Sequence, residues 1–465
     1  MLRIFKQNYP IRNIFFISVE GLAMFVSVLL ATRILYGPEL FLQDTYLTFK
    51  AFLISFVFLL CLYYNDLYDF KIVNTFTELG VRLLQALGVA TIFLAGVYYL
   101  FPEIIIGEGI FILTVLIVIV MIVSWRLLYS VILKYGWFDH KILLLGSGKL
   151  AQGIYNEITQ KRDCGYRISA VVTDKNGQFS LLDGSKPEVM SAIGDCELSI
   201  LVKELNVDKI VVAIKERRGS FPTRELLDCR VAGIDIIEGN SFNEMLTGKL
   251  SVKDINPAWL IFSEGFKKPL VRRMIKRVED ILFSIILLIL FCPVILLTAL
   301  IIKLDSKGPV LYSQERVGRR KQPYMIHKFR SMVTDAEGAT GPVWANQNDS
   351  RVTRVGKFIR KWRVDEIPQL WNVLKGEMSF IGPRPEREFF IGKLEEIIPY
   401  YKERFTVKPG LTGWAQVCYG YGDSIEDAME KLNYDLFYIK NYSIFMDFFI
   451  IIRTVKTVLF GVGAR

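Results

Sequence analysis

The chain contains an uncharged apolar run, residues 281–302, whose two flanks are both strongly basic. The run is long enough to cross a bilayer, since a spanning helix needs about 20 apolar residues. Basic residues favour the cytoplasmic side of a membrane, so one straight span satisfies only one flank. Pro293 lies within the run, where it removes a backbone donor and kinks a helix. We therefore expect a re-entrant helix–break–helix over residues 280–303, and the alternative is an ordinary fifth span.

Four further apolar segments precede this run, at about residues 13–32, 46–64, 83–101 and 110–132. Each is close to the length of a spanning helix. Lys and Arg are absent from the connections that follow the first and third segments. They are present at the start of the chain, in the middle connection and after the fourth segment, so both ends of the predicted bundle are expected in the cytoplasm. Glu20 is expected to make a helix–helix contact, with a functional site as the alternative. Arg126 is expected to extend toward the membrane surface.

Residues 139–262 alternate between short strand-like and helix-like segments, which is typical of a Rossmann-like parallel α/β layer. Gly146, Gly148 and Ala151 form a G-x-G-x-x-A turn after the first predicted strand. In dinucleotide-binding domains such a turn lets the backbone approach a pyrophosphate at a helix N-terminus. These residues are therefore a candidate nucleotide-binding turn. The alternative is a structural or regulatory module.

The net charge of +10 arises entirely in residues 261–465, which contain 32 basic and 22 acidic residues. A basic surface attracts nucleic acid, anionic lipid or a phosphorylated substrate. Because the same segment contains the apolar run, we expect the lipid bilayer and a phosphorylated substrate as partners, and no nucleic acid.

Residues 360–386 contain the side chains best suited to chemistry. Asp365 and Glu366 come just before Pro368. Proline favours the first turn of a helix, so a short helix is expected to follow, with Gly376 as its stop. The carboxylates then lie near a helix N-terminus, where a phosphate also docks, and the arginines of this stretch match phosphate oxygens. The alternative is a capped helix with a solvated charge cluster.

This stretch resembles the bacterial sugar transferase family, whose members are monotopic phosphoglycosyl transferases. Further blocks that share the resemblance lie at residues 308–317, 328–332, 348–360 and 408–417. The resemblance implies an α-rich catalytic domain at residues 267–465 that includes the re-entrant membrane helix. It follows a four-helix transmembrane region, residues 1–138, and the Rossmann-like module, residues 139–262.

The resemblance also implies roles for individual residues. In the family, the first carboxylate of the pair attacks phosphorus and the second helps to hold Mg²⁺, and these correspond to Asp365 and Glu366. The residues that match the family's basic contacts to the nucleotide diphosphate are Arg360, Lys328, Arg330 and Arg384. Asp349, Arg351 and Asp435 match further family blocks as substrate-binding candidates, and Pro293 matches the helix break. A surface ion pair is the alternative role for each residue outside the carboxylate pair.

The activity implied by the resemblance is transfer of a hexose 1-phosphate from a UDP-hexose to a polyprenyl phosphate such as undecaprenyl phosphate. It would proceed through a covalent aspartyl intermediate, as the first membrane step of exopolysaccharide, capsule or O-antigen synthesis. The expected location is the bacterial inner membrane, with the catalytic domain facing the cytoplasm. The identity of the transferred hexose stays open. A homodimer would suit the large membrane bundle.

The alternative activity is that of a membrane-anchored NAD(P)-dependent enzyme that modifies a sugar nucleotide. Such an enzyme needs an acid–base constellation, for example Tyr-x-x-x-Lys, after the strands of its nucleotide-binding layer. Residues 141–261 contain no such motif.

A re-entrant helix pair predicts that cysteines introduced near Lys268 and near Lys321 react with a membrane-impermeant reagent only from the cytoplasmic side, because both basic flanks stay there. Labelling of intact cells and of inverted vesicles, with the native cysteines replaced, measures the accessible side. Labelling near Lys321 from outside the cell would exclude the re-entrant arrangement.

Overall fold

A computed structural model of the chain describes residues 2–4, 7–9, 11–43, 46–68, 76–107, 109–134, 139–160, 164–173, 190–192, 198–214, 221–253, 265–266, 268–333, 351–420, 422 and 424–459. The chain divides into two compact units, one made mainly of the residues up to Gly239 and the other made mainly of the residues from Asn240 onward. Two short strands, β1 (Leu2–Ile4) and β2 (Gln7–Tyr9), come before the first helix.

Four long helices come first in the first unit: α1 (Ile11–Gln43), α2 (Leu47–Tyr64), α3 (Phe76–Leu100) and α4 (Ile110–Lys134). The stretches that are long and apolar enough to span a membrane are Phe15–Gly37, Leu47–Tyr64, Thr77–Leu100 and Ile110–Tyr129. The four apolar segments predicted from the sequence are thus confirmed as helices capable of spanning a membrane. Helix α1 bends at Gly37, where φ is +71°.

Glu20 on α1 and Arg126 on α4 form an ion pair inside the helix bundle. Arg126 Nε donates to Glu20 Oε1 at 2.8 Å, and Nη2 donates to Oε2 at 3.3 Å. Glu20 is 0% exposed and Arg126 is 9% exposed. The helix–helix contact expected of Glu20 is confirmed. The expectation that Arg126 extends to the membrane surface is wrong, because Glu20 offers its guanidinium a two-point partner inside the bundle.

The rest of the first unit is a parallel sheet with strand order β5-β4-β3-β6-β7. Its elements are β3 (His140–Leu145), α5 (Lys149–Gln160), β4 (Tyr166–Thr173), β5 (Met190–Ala192), α6 (Leu198–Glu204), β6 (Lys209–Val212), α7 (Thr223–Val231) and β7 (Asp235–Glu238). The first strand is central, as in a Rossmann-like layer, so the predicted parallel α/β layer is confirmed. Strand β5 was not predicted, because three residues are too few to show a period.

The candidate nucleotide-binding turn connects β3 to α5. Gly146 has a φ of +130°, and a Cβ at this position would lie 2.7 Å from the carbonyl oxygen of Ala213. Glycine is therefore required here by the close approach of a neighbouring strand. A Cβ at Gly148 would meet no described atom within 4 Å, and Ala151 is fully buried. The first glycine has a structural reason, and nucleotide binding stays a prediction.

Helix α8 (Gly239–Thr247) leads into the second unit and is held by polar contacts with it. The buried Glu244 accepts a hydrogen bond from Lys440 Nζ at 2.6 Å. Just after the helix, the Gly248 carbonyl accepts a hydrogen bond from Trp414 Nε1 at 2.8 Å. Residues 240–253 therefore fold together with the C-terminal part of the chain.

Helices α9 (Leu270–Leu290) and α10 (Cys292–Asp305) contain the apolar run and meet at an angle of 61° across Phe291. Pro293 lies in the first turn of α10, where its missing amide cannot continue the hydrogen bonds of α9. The break expected at this proline is confirmed. Return of the helix pair to the same side of a membrane stays a prediction.

Helix α9 has one face toward the protein and another that is exposed. On the protein face, the rings of Phe283 and Phe380 have centroids 5.9 Å apart, and Asp280 and Ser284 are buried. Exposed apolar side chains on the two helices include Leu282, Ile286, Ile289, Leu296, Leu300 and Leu304. A continuous exposed apolar surface of this kind is suited to lipid.

The remaining elements are β8 (Leu311–Val317), β9 (Pro323–Phe329), α11 (Arg354–Lys361), α12 (Gln369–Lys375), β10 (Ser379–Ile381), α13 (Glu388–Ile397), β11 (Gly410–Thr412), α14 (Trp414–Cys418), α15 (Ile425–Asn441) and α16 (Ile444–Leu459). Strands β8 and β9 form an antiparallel hairpin, and β10 pairs with β11 in parallel. Helix α16 buries Met446 and Ile450 in the core and exposes Phe445 and Phe448.

The buried ion pair predicts an asymmetry between single and double substitutions. Arg126→Leu leaves Glu20 buried and uncompensated, which we expect to lower the free energy of unfolding by about 3–5 kcal/mol. Glu20→Leu/Arg126→Leu should recover most of this loss. Thermal unfolding in detergent measures both changes. The control is Glu78→Gln, which breaks a partly exposed pair with Arg82 and is expected to cost below about 1 kcal/mol. Equal losses in the single and double variants would contradict the pairing.

Candidate active site

Asp365 and Glu366 lie in a single 3-10 turn, Val364–Glu366, between α11 and α12. Helix α12 follows at once, with Pro368 as its N-cap. Gly376 ends it in the left-handed conformation, with a φ of +88°. The short helix with a proline start and a glycine stop, predicted from the sequence, is confirmed, and it holds the two carboxylates at its N-terminal end.

Glu366 is surrounded by cations. Its Oε1 accepts hydrogen bonds from Arg384 Nη2 at 2.8 Å and from Lys328 Nζ at 3.1 Å. Arg363 Nη1 lies 3.7 Å from Oε2. Because Glu366 is only 7% exposed, it needs these partners to remain charged away from water. Lys328 and Arg384, expected as contacts to the nucleotide diphosphate, thus lie beside the carboxylate pair, and their phosphate-binding role stays a prediction.

Burial and the surrounding charges give the two carboxyl groups different pKa values. Burial by itself raises the pKa of Glu366, but Arg384 and Lys328 outweigh it and hold that pKa well below its usual range. Burial raises the pKa of Asp365 to about 6, and the adjacent charge of Glu366 adds to this rise. Lys328 and Arg360 oppose it. Glu366 is thus firmly ionised, whereas Asp365 titrates closer to neutral pH.

Asp365 also differs from Glu366 in its contacts. Its side chain is only 8% exposed. Within the part of the chain that the structure describes, no hydrogen-bond donor or ion-pair partner contacts its carboxylate. A desolvated carboxylate with no cation in direct contact is better able to attack an electrophile. The two adjacent side chains are therefore suited to different tasks.

Strand β9 brings Lys328 to Glu366, and Asn372 holds this strand against α12. Asn372 Nδ2 donates to the Met325 carbonyl at 2.7 Å, and Oδ1 accepts from the His327 amide at 3.2 Å. Asn372 is 0% exposed. It was not predicted, because the apolar periodicity of α12 says nothing about a distant strand.

Two other predicted phosphate contacts are engaged elsewhere. Arg360 donates from Nε to Ser331 Oγ at 2.9 Å, although its charge still acts on Asp365. Arg330 is 5% exposed, and its Nη2 donates to the Ser306 carbonyl at 2.8 Å. Its guanidinium therefore stabilises the end of α10 through an otherwise unsatisfied carbonyl.

Asp435 acts on the site through another arginine. Arg404 Nη2 lies 3.1 Å from Asp435 Oδ2 and donates to the carbonyl of Arg384 at 2.9 Å, and Nη1 donates to the Tyr401 hydroxyl at 2.5 Å. Arg404 is 7% exposed and Asp435 is 2% exposed. Asp435 and Arg404 thereby fix the backbone of Arg384, whose side chain reaches Glu366. Arg404 was missed, because a single basic residue gives no sign in the sequence that it is buried.

The remaining predicted site residues belong to other segments of the chain. Asp349 lies outside the described residues. Arg351 lies just before α11, where its carbonyl accepts a hydrogen bond from the Val333 amide at 3.0 Å. Pro293 lies in α10. The turn with Gly146, Gly148 and Ala151 belongs to the first unit.

The carboxylate pair fits Mg²⁺ that arrives with a phosphorylated ligand. Among the described residues, no group of three or more His, Cys, Asp or Glu side chains is arranged to hold a metal. Mg²⁺, however, usually takes only one or two protein carboxylates and completes its shell with phosphate oxygens and water. Glu366 is ionised, and the nearest ion-pair partner of its Oε2 is Arg363, at 3.7 Å. Glu366, with Asp365 beside it, offers this kind of incomplete ligand set.

Comparisons with known proteins agree with this architecture. A model of the bacterial sugar transferase family matches residues 271–461, and a model of a CoA-binding domain matches residues 64–220. The chain is 42% identical over 194 residues to the exopolysaccharide production protein PSS of Rhizobium leguminosarum bv. phaseoli, which covers 40% of this chain and 96% of that protein. The chain belongs to the bacterial sugar transferase family.

Two longer relatives match more of the chain. A UDP-N-acetylgalactosamine-undecaprenyl-phosphate N-acetylgalactosaminephosphotransferase of Aeromonas hydrophila is 44% identical over 242 residues, which is 52% of this chain and 56% of that protein. An undecaprenyl-phosphate glucose phosphotransferase of Komagataeibacter xylinus is 32% identical over 333 residues, which is 70% of this chain and 60% of that protein. The chain thus spans a little over half the length of these two curated relatives.

The connection from Asp435 through Arg404 predicts that Arg404→Lys loosens the segment around Arg384. Lysine keeps the charge opposite Asp435 but loses the fork that reaches the Arg384 carbonyl and Tyr401 together. We expect a folded protein whose free energy of unfolding falls by about 1.5–3 kcal/mol, with faster amide hydrogen exchange in peptides that contain residues 382–387. Arg354→Lys, at an exposed position, is the matched control. Unchanged exchange in Arg404→Lys would contradict the connection.

Proposed function

We propose that the chain transfers a hexose 1-phosphate from a UDP-hexose to a polyprenyl phosphate such as undecaprenyl phosphate. The observation that carries the proposal is the difference between the two adjacent carboxylates. Glu366 is ionised and held by Arg384 and Lys328, whereas Asp365 is buried beside it without a hydrogen-bond or ion-pair partner among the described residues. The relatives' names, which include undecaprenyl-phosphate phosphotransferases, support the same reaction.

In the first step, a carboxylate oxygen of Asp365 attacks the β-phosphorus of the UDP-sugar. The bond from this phosphorus to the bridging oxygen breaks, UMP leaves with the electron pair, and the sugar phosphate remains on Asp365 as an acyl phosphate. With a pKa of about 6, Asp365 is mostly ionised at neutral pH and available for attack.

The cations around Glu366 are placed to bind the diphosphate. Lys328 and Arg384 carry donors that can turn from Glu366 toward phosphate oxygens as negative charge builds up on them. Mg²⁺, when bound, would neutralise further charge on the diphosphate. Glu366 would contribute one of its oxygens to the metal and keep the cations close to the reacting phosphorus.

In the second step, an oxygen of the lipid phosphate attacks the phosphorus of the acyl phosphate. The bond to Asp365 breaks, the carboxylate is restored, and a polyprenyl diphosphosugar leaves. The exposed apolar faces of α9 and α10 support this assignment, because a re-entrant helix pair would keep the catalytic side chains at the level where the phosphate of a membrane lipid lies. The two steps together form a ping-pong reaction.

The setting that follows is the bacterial inner membrane, with the catalytic unit facing the cytoplasm, where UDP-sugars are available. The product would begin the synthesis of an exopolysaccharide, a capsule or an O-antigen. Glucose and galactose are the first sugars to test, and acetamido sugars follow. A homodimer stays a prediction of the sequence.

The central test is release of UMP by protein in nanodiscs given undecaprenyl phosphate and a panel of UDP-sugars. Asp365→Asn keeps the shape of the side chain but removes the attacking charge, so we expect a loss of about 4–8 kcal/mol of transition-state stabilisation, several powers of ten in kcat. Glu366→Gln should be similarly severe, with a changed Mg²⁺ dependence in any remaining activity.

The matched control is Glu396→Gln, which neutralises an exposed carboxylate of the same unit and should leave kcat unchanged. Wild-type protein given a UDP-sugar without lipid should gain one sugar phosphate on the peptide that contains Asp365, detected by mass spectrometry. Robust turnover by Asp365→Asn would refute the assignment of the nucleophile, and no turnover of any UDP-sugar by the wild type would refute the activity.

A further inference from the structure

Helix α9 contacts the catalytic elements through two charged side chains one turn apart, Arg277 and Asp280. They lie where the basic part of the helix meets the apolar run. Arg277 donates from Nη1 to the Val373 carbonyl and from Nη2 to the Leu374 carbonyl, both at 2.6 Å. Both carbonyls belong to the last turn of α12, and the Val373 carbonyl also accepts a hydrogen bond from the Gly376 amide at 3.0 Å.

Asp280 makes the second contact. Its Oδ1 accepts hydrogen bonds from the Phe380 amide at 2.8 Å and from Ser379 Oγ at 2.9 Å. Both donors belong to β10, and Asp280 is 2% exposed. Lys276, one turn earlier, lies 3.9 Å from the same carboxylate and also pairs with Asp447 at 2.9 Å. Lys276 therefore offsets part of the charge of Asp280 inside the protein.

The two contacted elements lead to two residues that meet in the candidate active site. The N-terminal end of α12 follows directly after Glu366, and β10 leads within three residues to Arg384. Arg384 and Glu366 meet at 2.8 Å. The relative position of α12 and β10 therefore sets the distance between the carboxylate pair and its main arginine.

The turn between α12 and β10 is crowded by the side chains of Arg277 and Lys408. A Cβ at Gly376 would lie 3.3 Å from Arg277 Nη2 and 3.3 Å from Lys408 Nζ. Glycine at this position thus serves both the left-handed end of α12 and the approach of Arg277.

We propose that Arg277 and Asp280, the α9 clamp, are positioning residues that make the geometry of the active site depend on the placement of the membrane helix. The proposal rests on the proposed function, since it assigns the clamp to the transfer reaction. Arg277 acts through α12 on the carboxylate pair, and Asp280 acts through β10 on Arg384. Neither side chain needs to touch the substrate.

The clamp predicts two different kinetic effects. Arg277→Ala releases the end of α12 and displaces the nucleophile, so kcat should fall about 10- to 100-fold with little change in KM for the UDP-sugar. Asp280→Ala releases β10 and the approach to Arg384, so KM for the UDP-sugar should rise about tenfold. Asp280→Asn keeps an oxygen acceptor for both donors and should stay close to the wild type. If the two residues only stabilised the fold, the alanine variants would yield less active protein, without a kcat effect in one and a KM effect in the other.

The same variants give a readout that does not need activity. Amide hydrogen exchange of the full-length protein in nanodiscs should become faster at residues 373–377 in Arg277→Ala and at residues 379–381 in Asp280→Ala. Arg273→Ala, which removes one exposed positive charge from the same helix, is the matched control and should leave exchange and kinetics unchanged. If the alanine variants fail to accumulate, Arg277→Lys replaces Arg277→Ala with the same expected direction.

Localised faster exchange together with the kinetic split supports the clamp. Wild-type exchange and kinetics in both Arg277→Ala and Asp280→Ala would overturn it, as would equal kinetic losses in Asp280→Asn and Asp280→Ala. If the wild-type protein turns over no UDP-sugar, the proposed function fails, and exchange alone decides whether the clamp holds the two elements.

Discussion

The second unit is organised around a carboxylate that stays ionised although it is almost excluded from water. Glu366 can hold its charge only because Arg384 and Lys328 approach it, and each of these comes from a different part of the chain. Lys328 is delivered by a strand that Asn372 ties to α12. Arg384 is delivered by a segment whose backbone Arg404 holds. The electrostatic need of one side chain thus explains why several buried polar contacts converge at this point.

Part of the positive charge of this unit stabilises the backbone inside the protein. The surplus of basic residues suggests a surface for anionic partners, yet several arginines are directed at backbone carbonyls inside the protein. Arg330 holds the end of α10, Arg277 holds the end of α12, and Arg404 holds the carbonyl of Arg384. A guanidinium suits this task because its fork reaches two oxygens at once and keeps its charge under burial. Part of the net charge is therefore structural.

Features with a short-range cause were predictable from the sequence. Pro368 and Gly376 bound a helix because each restricts its own backbone, and Pro293 breaks one for the same reason. The parallel layer was predictable from its alternation of strands and helices. The partners of Glu20, Asp435 and Arg330 were not predictable, because a pairing between residues far apart in the chain leaves no periodic trace. The identity of a residue as arginine also could not show whether it contacts a phosphate or, like Arg330, binds a carbonyl at the end of a helix.

The polar contacts of Glu244 and Gly248 show that the compact unit starts earlier in the chain than the match to the family model. The match to the family model begins at residue 271, whereas the compact unit begins at Asn240. A fragment that begins at residue 271 would leave the buried Lys440 without Glu244 and the indole of Trp414 without its acceptor. The segment that the family model matches is therefore smaller than the compact unit, and residues 240–253 contribute to the interior of that unit.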